Sequence, residues 1–249
     1  MNLRNHINGP AYEVHDQDGA LTQGLNKFMT KVFGLMFLGL LATAGAAGLF
    51  INALFTSQEM ALFLLSPAVQ WGAIIGFVVV FIGLQAGINK IGVGTAYVLF
   101  FLFSTLQGVA LGFILLAYAG MPDIIAQAFL MAAIFFGVMV VFGLTTKSDL
   151  TSAGRVFLAA LIAIIIASIV NIFLLQSPML DTIICVAGIA VFAGLTAYDT
   201  KKLKTFYLTQ ARTSDAAAVS KVAIIGASHL YLDFINLFLF LLRFLGRKR

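Results

Sequence analysis

The sequence of 249 residues is 61% hydrophobic and only 10% charged, with a mean hydropathy of +1.03. Soluble domains are typically about 45–50% apolar and about 25% charged, so this composition excludes a soluble protein and indicates a polytopic membrane protein. The net charge of +5 does not indicate nucleic-acid binding, because the basic residues are spread among the loops between apolar segments. The one cysteine, Cys185, excludes an intrachain disulfide and a zinc site built from thiolates.

Seven apolar segments are long enough to cross a membrane, which needs about 20 residues at a rise of about 1.5 Å each. We predict helices, because only helices or closed barrels satisfy the backbone in lipid and these runs lack the alternation of barrel strands. The predicted segments are 31–54, 66–87, 94–119, 123–144, 154–175, 180–198 and 222–245. Residues 1–26 lack the apolar core of a signal peptide, so we interpret them as a polar tail before one transmembrane domain, residues 27–249.

The distribution of basic residues predicts the orientation. Eleven of the fifteen Lys and Arg residues lie in the tail or in loops on one side, and the opposite loops around Glu59, Asp123 and Asp181 contain none. The positive-inside rule then places the amino terminus in the cytoplasm. The other four basic residues lie at the end of the last segment, which either crosses against this rule or re-enters the cytoplasmic face; we favour a full crossing.

Glycines recur at four-residue spacing, which lets membrane helices approach each other closely. We interpret these pairs as helix-packing sites, with a hinge in the second helix as the alternative for Gly83 and Gly87. The pairs are Gly72 and Gly76, Gly83 and Gly87, and Gly108 and Gly112.

Two carboxylates in the last two apolar segments are the strongest functional signal. Asp199 closes the sixth segment and Asp233 lies in the middle of the seventh. A charge at the centre of a membrane helix costs roughly 2.5–3.5 kcal/mol, so such residues usually have a function. The two would meet in the inner half of the membrane if the last helix enters near Gly226, but would differ in depth if it enters at Val222. Neighbouring carboxyl groups share a proton and titrate as a unit, which predicts a proton-sensitive latch between two helices.

Polar neighbours of the two acids are candidates to tune this titration. His229 lies one helical turn before Asp233, and Asn236 follows Asp233 by three residues. Tyr198 and Tyr231 could donate hydrogen bonds to the acids, although a position in the aromatic belt explains them equally well. Asp199, Asp233 and Asn236 offer the oxygen ligands that Ca²⁺ prefers, but Na⁺ or H⁺ would use the same groups. We expect no resident cofactor.

Five stretches of sequence carry a resemblance to a known family. They are AYDTKKLK at 197–204, HLYLDFINLF at 229–238, LLRFLG at 241–246, FMTKVFG at 28–34 and GLTTKSDLT at 143–151. Together they resemble the Bax inhibitor-1 (transmembrane Bax-inhibitor-motif) family over residues 28–246, and the tail and short outer loops resemble a bacterial member of the inner membrane. The resemblance implies an all-α fold in which the last of seven helices is central and wrapped by the other six. It also implies that Asp199 and Asp233 are the family's paired aspartates.

The activity implied by the resemblance is a pH-sensitive calcium leak, with Ca²⁺ as the transported ion. Family members can carry a basic residue in the second helix that pairs with the aspartates, whereas this chain has no Lys or Arg between Lys31 and Lys90. Gln85 and His229 are the candidates to replace it. Arg243 matches a family arginine near the outer end of the last helix, and Glu59 is its candidate partner in an outer latch.

Two function hypotheses remain open at this point. The first is a proton-gated cation leak, and the second is a regulatory protein of the stress or cell-death type that docks on a membrane-embedded ATP-dependent protease. We do not expect an enzyme. An aspartyl protease would need Gly-x-Gly before its aspartate, whereas Leu230-Tyr231-Leu232 precedes Asp233. A retinal pump would need a lysine within the last helix, and none lies between Lys221 and Lys248.

Overall fold

The computed structural model describes residues 10–210 and 215–247, and within these ranges the chain is helical and contains no strand. Seven helices are long and apolar enough to cross a membrane, which confirms the predicted all-α polytopic fold; α2 is too short. The elements are α1 (Pro10–Ala53), α2 (Gln58–Leu64), α3 (Pro67–Gly87), α4 (Val93–Ala117), α5 (Pro122–Thr145), α6 (Thr151–Val170) with a π-helical turn (Asn171–Leu175), α7 (Pro178–Gln210) and α8 (Ala216–Gly246).

α1 and α7 extend furthest beyond the predicted apolar segments. α1 begins at Pro10, so part of the predicted polar tail is a helical extension, and the first nine residues of that tail lie outside the described residues. α7 continues past Tyr198 to Gln210, because lysines and leucines favour a helix and neither glycine nor proline interrupts this stretch. The two extensions pack together, with the ring of Phe28 centred 5.2 Å from that of Tyr207.

The amino-terminal part of α1 lies at the same end of the bundle as the start of α8 and the end of α7. Lys31 Nζ donates a hydrogen bond to Ser220 Oγ over 2.9 Å. Lys204 Nζ donates to the carbonyl of Leu144 over 2.6 Å, which places the end of α5 beside α7. We name this end, which also carries the α3–α4 and α5–α6 connections, the basic end.

α8 crosses the whole bundle. Its last turn reaches the start of α7, where Arg247 Nη1 donates a hydrogen bond to the carbonyl of Pro178 over 2.7 Å. We name this opposite end the Asp181 end. A re-entrant last segment would return to the basic end, so the contacts of Arg247 exclude that alternative and support the favoured full crossing.

The central position of α8 is confirmed by its burial. In its apolar window 67% of the residues are buried, against 11% in α3 and 11% in α6. α8 packs mainly against α1, α5 and α7, and less against α4. α3 packs chiefly on α4, and α6 chiefly on α7, so these two helices form the walls of a cleft that faces α8.

The predicted glycine pairs differ in their surroundings. A Cβ at Gly108 would lie 2.5 Å from the carbonyl oxygen of Thr43, and one at Gly112 would lie 2.6 Å from Phe50, so this pair packs α4 on α1. A Cβ at Gly72 or at Gly83 would have no neighbouring atom within 4 Å. The packing interpretation is therefore correct for α4 but not for these two glycines of α3.

Replacing Gly108 with alanine is expected to destabilise the protein by about 1–3 kcal/mol, because backbone cannot move aside for the added methyl group. The matched change Gly83→Ala, inside α3 and without neighbours, is expected to be neutral or to stabilise by up to roughly 1 kcal/mol. Thermal unfolding of both variants in detergent measures the difference. Equal stability of the two variants would contradict the close approach of α1 and α4.

Candidate functional site

A cavity of about 810 Å³ lies beside α8 and is bounded by α3, α6 and α7. α8 contributes one face of the helix, because positions three and four residues apart lie above one another. The residues of this face are His229, Leu232, Asp233, Asn236 and Phe240. Asp199 lines the same cavity from α7, so the structure brings together the two acids that the sequence singled out.

Asp199 lies beside His229. Its Oδ2 is 3.9 Å from Nδ1 of the imidazole, and the two side chains are 15% and 34% exposed. On its other side the imidazole faces Phe81 of α3, with ring centroids 6.3 Å apart. The predicted neighbourhood of His229 and the acids is confirmed, and the histidine is positioned between α3 and the Asp199 carboxyl group.

Asp233 lies one helical turn further into the bundle than His229 and is only 5% exposed. Its Oδ2 atom is buried and has no hydrogen-bond partner among the described residues. Burying a carboxyl oxygen without a hydrogen-bond partner is costly, so the burial of Asp233 does not stabilise the fold. Asp233 is therefore the leading candidate for a functional residue in this cavity.

The other predicted neighbours divide into two groups. Tyr198 and Asn236 line the cavity. The ring of Tyr198 packs on α6 at Gly154 and lies 5.9 Å from the ammonium group of Lys202. The amide of Asn236 donates to the carbonyl of Leu232 within its own helix over 2.8 Å. Within the described part of the chain, neither side chain donates a hydrogen bond to Asp199 or Asp233.

Tyr231 does not belong to the site, and the prediction that it tunes the acids is wrong. Successive helical residues are rotated by about 100°. Tyr231 lies two residues before Asp233, so it points to nearly the opposite face of α8. Its side chain is fully buried towards α1 and α4. The hydroxyl lies 2.6 Å from Thr43 Oγ1, and the ring centroid lies 5.2 Å from that of Phe103. Tyr231 holds α8 against the bundle.

α3 is the second membrane-spanning helix, in which family members can carry a basic residue that pairs with the aspartates. Gln85 of α3 does not replace that residue. Its Nε2 donates to Ser228 Oγ over 3.2 Å, so it connects α3 to α8 rather than to either acid. Of the two candidates, His229 is the side chain that reaches Asp199.

The predicted latch between Glu59 and Arg243 is wrong. Arg243 instead grips Asp181, with Nε 3.1 Å from Oδ2 and Nη2 donating to Oδ1. Arg247 also pairs with Asp181, whose side chain is only 4% exposed. Glu59 is exposed in the first turn of α2 and has no ion pair within the described part of the chain.

Sequence reasoning missed Asp181 as the partner of Arg243, although the sequence contained a signal for it. It lies in the first turn of α7, while Arg243 and Arg247 are four residues apart near the end of α8. The start of one helix lies beside the end of the next when consecutive helices pack antiparallel. An ion pair between Asp181 and these two arginines could therefore have been predicted from the sequence.

The cavity lining offers oxygen ligands from a few side chains. No group of three or more His, Cys, Asp or Glu side chains that could hold a metal occurs in the described ranges. Asp199, Asp233 and Asn236 nevertheless present carboxyl and amide groups to one cavity. Such oxygen atoms suit hard cations, whereas thiolate and multiple imidazole ligands are absent from this lining.

Comparison with known proteins identifies relatives of this chain. A family model described as "Inhibitor of apoptosis-promoting Bax1" matches residues 25–249. The chain is 42% identical over 226 residues to the inner membrane protein YbhL of Escherichia coli K12, covering 91% of this chain and 94% of the relative. It is 38% identical over 229 residues to the uncharacterized protein RP147 of Rickettsia prowazekii, covering 91% and 92%. An uncharacterized membrane protein of Streptococcus pyogenes serotype M6 is 34% identical over 227 residues, covering 90% and 94%.

Proposed function

The chain belongs to the Bax inhibitor-1 family, and we propose that it is a pH-sensitive cation leak pathway that favours Ca²⁺. It is an integral membrane protein, and the name of its Escherichia coli relative supports an inner-membrane location. The excess of lysine and arginine at the basic end supports a cytoplasmic orientation for that end and for the amino terminus.

The observation that carries the proposal is the pair of carboxyl groups in one cavity. Asp199 lies nearer the basic end and Asp233 one turn deeper, where its buried Oδ2 has no partner among the described residues. An entering cation would exchange water for these oxygens, and a proton would compete for the same atoms. Competition of this kind makes the flux sensitive to pH.

The contacts of the site suggest how the pathway closes at each end. At the basic end His229 fills the space between Asp199 and Phe81, so movement of α3 would change access to the acids. At the other end Asp181 joins the start of α7 to Arg243 near the end of α8. We assign the inner gate to the paired acids with His229 and the outer latch to Asp181 and Arg243.

Calcium flux into liposomes that carry the purified protein tests the proposal. A calcium-sensitive dye inside the liposomes reports uptake at external pH values from 5 to 8, and parallel Na⁺ measurements report selectivity. We expect uptake above that of empty liposomes and a dependence on pH. Uptake equal to that of empty liposomes at every pH would overturn the leak function.

A second candidate function is regulation of a membrane-embedded ATP-dependent protease. The observation that favours it is the joint projection of α1 and α7 at the basic end, where Phe28 packs on Phe206 and Tyr207. Deleting residues 1–19 shortens α1 at its amino-terminal end but keeps Gly24, which lies against Tyr207. If the projection is the docking surface, the deletion abolishes any effect on the protease in shared liposomes and leaves calcium flux intact.

A further inference from the structure

The cavity beside α8 continues as a groove along α6 and opens to the outside of the bundle between α3 and α6. The α6 residues that line it run from Arg155 to Ile172, a length of about 26 Å at the helical rise. Leu158, Ile165 and Ile169 line the groove and are 56%, 50% and 51% exposed, so its long side faces the bilayer.

The two ends of the groove differ in chemistry. At the basic end it is lined by Arg155 and Lys202, which are exposed and form no ion pair within the described part of the chain. Further along α6 the lining is apolar apart from one serine, and consists of Leu158, Leu161, Ile164, Ile165, Ser168, Ile169 and Ile172. A groove with cations at one end and an apolar wall along α6 is complementary to an amphiphile with an anionic head.

We propose that this groove binds one acyl chain of an anionic phospholipid, with the phosphate between Arg155 and Lys202 and the chain along α6. Arg155 and Lys202 lie at the basic end, which is the level of the lipid headgroups in the leaflet on that side of the membrane. The groove is longer than half of the roughly 30 Å hydrocarbon core, so a whole chain of one leaflet lies within it. Lateral opening between α3 and α6 provides the route of entry from the bilayer.

Asp199 does not prevent the binding of an anionic head. It lies three residues deeper in α7 than Lys202, and His229 is its neighbour at 3.9 Å. The phosphate therefore meets Lys202 before it approaches the carboxyl group. The acyl chain would pass beside Asp233 and exclude water from it. Binding itself does not depend on ion transport, so this inference goes beyond the leak function and can be tested without it.

Photochemical crosslinking in nanodiscs tests the proposal. The full-length protein is reconstituted in phosphatidylcholine with a small fraction of phosphatidylglycerol that carries a diazirine in the middle of one acyl chain. Mass spectrometry then maps the adducts. We expect adducts concentrated on groove residues of α6 and α8. Adducts spread evenly over the outer faces of all helices would overturn the proposal.

Matched variants separate the groove from the general lipid surface. Ile165→Trp blocks the groove and is expected to lower the adduct yield several-fold, whereas Ile166→Trp, exposed on the same helix outside the groove, leaves it unchanged. Equal yields from these two variants would contradict the assigned site. Thermal unfolding of both variants checks that each remains folded.

The headgroup is tested by a second pair of variants. Arg155→Gln with Lys202→Gln is expected to remove the preference for labelled phosphatidylglycerol over labelled phosphatidylcholine. Lys90→Gln with Lys147→Gln, also exposed at the basic end, is expected to retain it. A preference that survives in the first pair, or labelling by a free fatty acid but not by phosphatidylglycerol, would overturn the anionic phospholipid as the occupant.

Discussion

Replacing Asp233 with asparagine is expected to flatten the pH dependence of calcium flux, so that uptake at pH 5 becomes nearly equal to uptake at pH 8. Asparagine keeps the shape of the side chain but does not titrate in this range. Because Asp233 is buried and its Oδ2 has no partner among the described residues, the neutral amide is also expected to leave the protein at least as stable as the wild type. Stability and function are therefore expected to change independently.

Asp199→Asn is expected to flatten the same profile, because two interacting acids titrate as a pair. The double variant should then be no flatter than either single variant. Asp123→Asn, the same chemical change at an exposed position in the first turn of α5, is the control and should keep the wild-type profile. A normal pH profile in both Asp199→Asn and Asp233→Asn would contradict the gate even if the protein conducts calcium.

Replacing Asp181 with asparagine is expected to lower the free energy of unfolding by about 3 kcal/mol, the lower end of the cost of breaking a buried ion pair. Asp181 is almost fully buried, and its carboxylate pairs with both Arg243 and Arg247. The two arginine side chains are 37% and 30% exposed, so water recovers part of the lost interaction. Thermal unfolding in detergent measures the change.

Flux measurements on the same variant test the outer latch. If Asp181 and Arg243 hold the pathway closed, Asp181→Asn raises basal calcium uptake at all pH values while the pH dependence remains. Glu59→Gln is the matched control, because it removes the acid that the sequence suggested, and it is expected to change neither stability nor uptake. A loss of stability in Glu59→Gln equal to that in Asp181→Asn would show that the latch had been assigned to the wrong acid.

The sequence alone determined the architecture and the two acids of the site. Lipid supplies no hydrogen bonds to the backbone, so seven long apolar runs had to be helices, and each predicted span corresponds to one. The same physics marks Asp199 and Asp233, since a carboxyl group inside a membrane helix is costly and stands out against an apolar background. The helical repeat also placed His229 and Asn236 on the face of Asp233.

The helix ends were less predictable, because an apolar pattern marks where lipid begins rather than where hydrogen bonding stops. α1 and α7 both continue into polar sequence at the basic end, where they pack on each other. The direction in which Tyr231 points was also mispredicted. Proximity in sequence suggested a partner of the acids, but its side chain points towards Thr43 on the opposite side of α8.

Only the tertiary structure decided which charges meet and where the bundle is open. From the sequence, Glu59 and Asp181 were both acids of the outer loops that could have paired with Arg243. Because α8 packs antiparallel to α7, Arg243 forms its ion pair with Asp181. The cleft between α3 and α6 likewise depends on how far each helix packs around α8. Helices in a bilayer do not need to bury their apolar surface against protein. Hydrophobicity therefore determines that each helix spans the membrane, whereas contacts between side chains determine how the helices are arranged.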